Sequence, residues 1–152
     1  MILIPHLVIG AAIAAKFNSF PLIIILAILS HYLLDTLPHV DYSIVNIKKG
    51  EWGKSREDIL KILIDIAIGV IFISIIQSLT HASPIKLAVG AFFGALPDLL
   101  TLLSFKFRRS KILIAHSSFH SKIHFLEEKK YPLYLRISTQ AFVVLLGFLA
   151  II

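Results

Sequence analysis

From Arg56 to Leu79 the chain offers about 24 predominantly apolar residues, enough at about 1.5 Å per residue to cross a hydrocarbon core of about 30 Å. After the break His81-Ala82-Ser83, a second such run extends from Pro84 to about Phe105. Two runs of this kind leave few folding options. In hydrocarbon every backbone N–H and C=O must find its partner inside the structure, which favours helices. The whole chain agrees: 57% of its 152 residues are hydrophobic, against about 45–50% for an ordinary soluble domain. We therefore expect one integral-membrane domain over residues 1–152, all-α, a polytopic bundle of about five to six helices, some short or interfacial.

Six apolar segments can be drawn, over Pro5–Phe17, Pro21–Thr36, Arg56–Leu79, Pro84–Phe105, Lys111–Glu128 and Pro132–Ile152. Pro5, Pro21, Pro84 and Pro132 stand at helix starts, where a missing N–H does no harm. Ser55-Arg56-Glu57-Asp58 fits a capping box opening the third segment. Leu96-Pro97-Asp98 is expected to interrupt the fourth, because Pro removes a helical hydrogen bond and frees a carbonyl one turn earlier. Met1 to Ala15 lacks the basic start of a signal peptide and carries Pro5 and His6, so it is read as a retained helix.

The net charge of +6 sits in short loops: Lys48, Lys49, Lys54 and Arg56 in one, Lys106, Arg108, Arg109 and Lys111 in the other. These loops lack the aromatic interleaving of a nucleic-acid surface, so no nucleic-acid partner is expected. They bracket the two clearest spans and so fall on one side. The positive-inside rule makes that side cytoplasmic, in the inner (cytoplasmic) membrane. Membrane lipid is the expected partner, with a homo-oligomer left open. The absence of cysteine excludes disulfides, thiolate ligands and a thiol nucleophile. Any metal must be held by imidazole and carboxylate.

Nine side chains of that type gather near the same edge: His6, His31, Asp35, His39, Asp41, Asp98, His116, His120 and His124. An ionisable group in hydrocarbon costs several kcal/mol unless paired, wetted or metal-bound. His31 and Asp35 are one helical turn apart, about 6 Å, as in metal-chelating helices, and His39 continues the spacing. The plainer reading of this stripe is a polar face with His31 hydrogen-bonded to Asp35. His116, His120 and His124 span about 12 Å, too far for one ion whose His bonds are about 2 Å long. Either two metals bind there or His124 is a bystander; the plainer reading is an interfacial amphipathic helix. Asp98 is an intramembrane carboxylate, whereas Asp65 has Lys61 one turn before it and is expected to form an internal ion pair. The expected metal ligands are His6, His31, Asp35, His39, Asp98, His116 and His120, with Asp35 and Asp98 the catalytic carboxylates. The expected cofactor is one or two divalent ions, zinc first, manganese or iron second. Arg108 and Arg109 are expected to hold an anionic headgroup.

At these residues the chain resembles the membrane-bound metal-dependent hydrolases, a group that includes the LexA-regulated inner-membrane hydrolases, and it is distantly similar to zinc-dependent phospholipase C-like proteins. The resemblance runs through His6 with Gly10-Ala11-Ala12, Ser30-His31 with Asp35, Leu96-Pro97-Asp98, and His116 to His120. Two features depart from that pattern: the Ser-His-x-x-x-Asp element comes early rather than late, and Leu100 stands where a second Asp is usual. The resemblance implies a membrane-embedded hydrolase acting on a lipid or phosphoester at the cytoplasmic leaflet. The alternatives are a di-iron lipid-modifying oxidase with histidine boxes and a divalent-metal binding or transport protein. The first lacks the usual paired histidines, and the second should place its ligands near the midplane.

Overall fold

The computed structural model describes residues 1–124 and 131–152. Among these residues there are seven α-helices and no strand: α1 (Leu3–Lys16), α2 (Phe20–Asp35), α3 (Val45–Lys49), α4 (Arg56–Thr80), α5 (Pro84–Lys106), α6 (Lys111–Ile123) and α7 (Leu133–Leu149). The all-α expectation holds. Two helices, α4 and α5, are long and apolar enough to cross a membrane. The shorter apolar helices α1, α2 and α7 have 14, 16 and 17 residues, about 21–26 Å at the usual rise, and fall short of a full span.

Helix α1 lies at the centre, packed against α5, α4, α2 and α7. Its small residues make that position accessible. A Cβ on Gly90 of α5 would collide with the Gly10 carbonyl of α1, so the two backbones touch directly. Val8, Ala11 and Ala14 of α1 are fully buried against Ile23, Ile76 and Leu87. The outward face of α4 is the opposite case. Leu60, Leu63, Ile64, Val70 and Ile71 are each more than half exposed.

Several local expectations are corrected. Pro97 does not interrupt the fourth segment, which runs as one helix through it. The polar loop after α2 contains the short helix α3 and a 3-10 turn, Trp52–Lys54. Helix α6 ends at Ile123 with His124 as its cap, and the expected end at Glu128 lies outside the described residues. The capping box does not form. Ser55 Oγ donates to the Glu51 carbonyl, and Asp58 accepts from Asn46 N and Ile47 N, so it caps α3 instead of its own helix.

The Lys61–Asp65 pair is also absent. Asp65 accepts from the backbone N–H of Leu3 at 2.6 Å and of Ile4 at 3.3 Å, while Lys61 Nζ donates to the Ser43 carbonyl. The physical reason is the start of α1, whose unpaired N–H groups and positive dipole end are buried beside α4 and draw the carboxylate inward. The two basic loops do lie together, since Arg108 Nη2 donates to the Lys48 carbonyl at 2.8 Å.

Candidate metal centre

Asp35, the last residue of α2, is 1% exposed and stands where α1, α2, α5 and α6 meet. Its Oδ2 lies 2.8 Å from His120 Nε2, 2.9 Å from His31 Nε2 and 3.4 Å from His124 Nε2. Its Oδ1 lies 3.2 Å from His6 Nε2 and 3.0 Å from the Met1 amino nitrogen. Four histidines from three helices thus surround one carboxylate. The His6 ring stacks on His31 with centroids 4.0 Å apart. Its orientation to Asp35 satisfies no hydrogen bond, and neither ring nitrogen has a hydrogen-bond partner among the described residues.

The outer contacts decide which nitrogens face inward. His31 Nδ1 is 2.7 Å from the Gly94 carbonyl, which can only accept, so Nδ1 carries the proton. In the neutral ring Nε2 then presents a lone pair. His39 repeats this arrangement, with Nδ1 donating to the Leu37 carbonyl at 2.7 Å. His120 Nδ1 is held at 2.8 Å by the Thr101 hydroxyl. Backing of this kind is what orients metal-ligating histidines.

Inward ring nitrogens and carboxylate oxygens crowd one another. His31 Nε2 and His120 Nε2 are 3.0 Å apart, and both face the Asp35 carboxylate. The His31 lone pair and the Asp35 carboxylate, 2.9 Å apart, repel unless a cation or a proton lies between them. Donor atoms around a tetrahedral ion with bonds of about 2.0–2.1 Å are spaced by about 3.3 Å, close to the separations found. Among the described residues two groups could hold a metal ion: His31, Asp35, Asp98 and His120, and Asp35, His39 and His124.

Asp98 comes from the middle of α5. Its Oδ1 is 3.9 Å from His31 Nε2 and 3.8 Å from His120 Nε2, and its Oδ2 has no hydrogen-bond partner among the described residues. His39 Nε2 lies 3.5 Å from Asp41 Oδ2 and 3.2 Å from His124 Nδ1. His116 stands apart: its Nε2 meets the Tyr32 hydroxyl at 3.1 Å, and it belongs to neither group. Of the histidine stripe on α6, the residue left outside is therefore His116, and His124 is brought in. Arg108 spends its guanidinium on the Phe105 and Lys48 carbonyls, and Arg109 lines with it a separate surface cavity beside Trp52 and Lys106.

Part of the centre lines a cavity of about 1230 Å³. Asp98, His120, His39 and His124 belong to its lining, together with Ser117, Ser118 and Ser121 of α6. Leu7, Ile62, Ile66, Phe92, Leu96 and Leu99 supply the apolar remainder. Sequence reasoning missed Thr101 and Gly94. Thr101 stands three residues after Asp98, on the same helix face, a spacing that could have marked it. Gly94 acts through its carbonyl, which no side-chain pattern announces. The chain matches no known family, no curated protein and no solved structure.

Proposed function

We propose that the protein is a membrane-embedded, metal-dependent hydrolase of an amphiphilic ester or phosphoester, of the kind its short motifs resemble. The observation that carries this reading is the cavity itself, whose lining joins ionisable ligands to many apolar side chains. A polar head can lie against the centre while its hydrocarbon tail packs on the apolar lining. The exposed apolar face of α4 supports a lipid setting. The adjoining basic loops, joined by Arg108, support a site in the cytoplasmic leaflet.

The donor set suits zinc, with manganese or iron as alternatives. Bound there, a divalent ion supplies Lewis-acid polarisation of the scissile group and lowers the pKa of water to about 7. Asp35, His31 and His120 hold position. Asp98, the most accessible carboxylate of its group, is placed to take the proton of an attacking water. Water adds to the acyl or phosphoryl centre, the bond to the leaving alkoxide breaks, and the proton held by Asp98 passes to that alkoxide.

The test is metal content and turnover of detergent-purified protein. Bound zinc or manganese, with release of product from vesicles containing phospholipid and phosphatidic acid, is expected. Asp98→Asn should keep most of the metal and lose at least about 100-fold in turnover. Absence of tightly held metal, or no product from loaded protein on either lipid, overturns the reading. Bound iron with visible absorption transfers it to the oxidase alternative.

A further inference from the structure

His31, Asp35 and His120, with Asp98 beside them, bring enough donors to one point to hold one ion without further help. His39 and His124 are left over. His39 is 3% exposed and sits beyond the end of α2, yet its ring is fixed by the Leu37 carbonyl so that a bare Nε2 points toward the centre. That lone pair faces His124 Nδ1 at 3.2 Å and Asp41 Oδ2 at 3.5 Å.

Neither neutral form of His124 satisfies its surroundings. With the proton on Nδ1, His124 donates to His39, and its Nε2 lone pair then faces Asp35 Oδ2 at 3.4 Å and His120 Nε2 at 3.4 Å. With the proton on Nε2, His124 donates to Asp35, and two lone pairs meet at 3.2 Å between His124 and His39. A cation between His39 and His124 removes the second conflict and leaves His124 Nε2 free to donate to Asp35. The Asp35 carboxylate has a ligand atom within reach of this pair as well as of the first group.

We propose that His39 and His124 form, with the shared Asp35 carboxylate, a second divalent-cation site beside the His31–Asp35–Asp98–His120 site, so that the centre is dinuclear. This rests on the reading of the cluster as a metal centre and is independent of the reaction it performs. Paired ions about 3.5–4 Å apart, sharing a carboxylate, clamp both the attacking and the leaving oxygen of a displacement, which suits phosphoester chemistry better than a single ion. It also explains why the ligand residues outnumber the needs of one ion.

The protein is stripped of metal in detergent and dialysed against manganese(II). Retention of two equivalents is expected, with the broadened electron paramagnetic resonance spectrum of coupled ions. His124→Gln and His39→Gln, checked for retained helicity, should each hold one equivalent and give the spectrum of isolated manganese. Wild type that saturates at one equivalent overturns the second site, as do variants that keep two; an imidazolium at His124 in place of a cation would produce the first result. Two equivalents without any lipid turnover keep the second site and remove the hydrolase reading, whereas one equivalent with turnover does the reverse. A wild type that binds none removes both.

Discussion

His31 Nδ1 donates to the carbonyl of Gly94 at 2.7 Å, so the backbone of α5 fixes which nitrogen of a residue on α2 faces Asp35. The contact needs close helices. A Cβ at position 94 would sit 2.5 Å from the His6 carbonyl, on the backbone of α1. Gly94→Ala is therefore expected to push α1 away from α5 and to cost about 1–3 kcal/mol. Because His31 loses its backing as well, metal affinity should fall about 10–100-fold. Thermal unfolding in detergent and a zinc titration check both, and an unchanged melting temperature would mean that the helices do not touch here.

Thr101 separates orientation from packing. Its hydroxyl holds His120 Nδ1 at 2.8 Å, and replacing it by the isosteric valine removes the hydrogen bond while keeping the volume. Thr101→Val should weaken metal binding about 10–100-fold, whereas Thr101→Ser should retain it. Equal loss in the two variants, read by metal titration, would show that Thr101 acts through packing instead.

The ligand centre is more legible in the sequence than the helix ends around it. His31 and Asp35 stand out because ionisable side chains one turn apart in an apolar run are costly unless they meet a partner or a metal, and they do face the same point. The α6 stripe is visibly too long for one ion, but spacing alone does not say which end points inward. The structure turns His120 and His124 toward Asp35 and leaves His116 with Tyr32. Local patterns fail where a distant partner outcompetes a near one. Asp58 and Asp65 have sequence neighbours ready, Ser55 and Lys61, yet both carboxylates go to backbone N–H groups at other helix starts. Buried N–H groups have no water to fall back on, so they compete strongly for a carboxylate.

Metal should contribute to stability as well as chemistry, since without it the neutral His31 ring sets a lone pair against the Asp35 carboxylate. A ligand present at 100 times its dissociation constant stabilises the folded state by about 2.7 kcal/mol. Chelation is expected to lower the melting temperature in detergent, and zinc should restore it. Asp35→Asn should abolish both the bound metal and the response to chelator, because Asp35 belongs to both ligand groups. A melting temperature indifferent to chelator in the wild type would remove the metal from the folded state.

Asp65 offers a test of how α1 is anchored. Its carboxylate receives Leu3 N at 2.6 Å and Ile4 N at 3.3 Å, at the helix start three residues before His6. Asp65→Ala leaves those donors without their acceptor and should cost about 1.5–3 kcal/mol, with Asp65→Asn intermediate because its amide oxygen can still accept. Lys61→Ala discriminates the two roles open to Asp65. Were Asp65 chiefly the partner of Lys61, removing either would cost alike. Lys61 instead reaches the Ser43 carbonyl at the exposed edge, so its loss should change stability by no more than about 0.5 kcal/mol. Loosening the start of α1 also shifts His6 against Asp35, so Asp65→Ala should weaken metal binding while Lys61→Ala leaves it intact, which a parallel zinc titration of the two variants resolves.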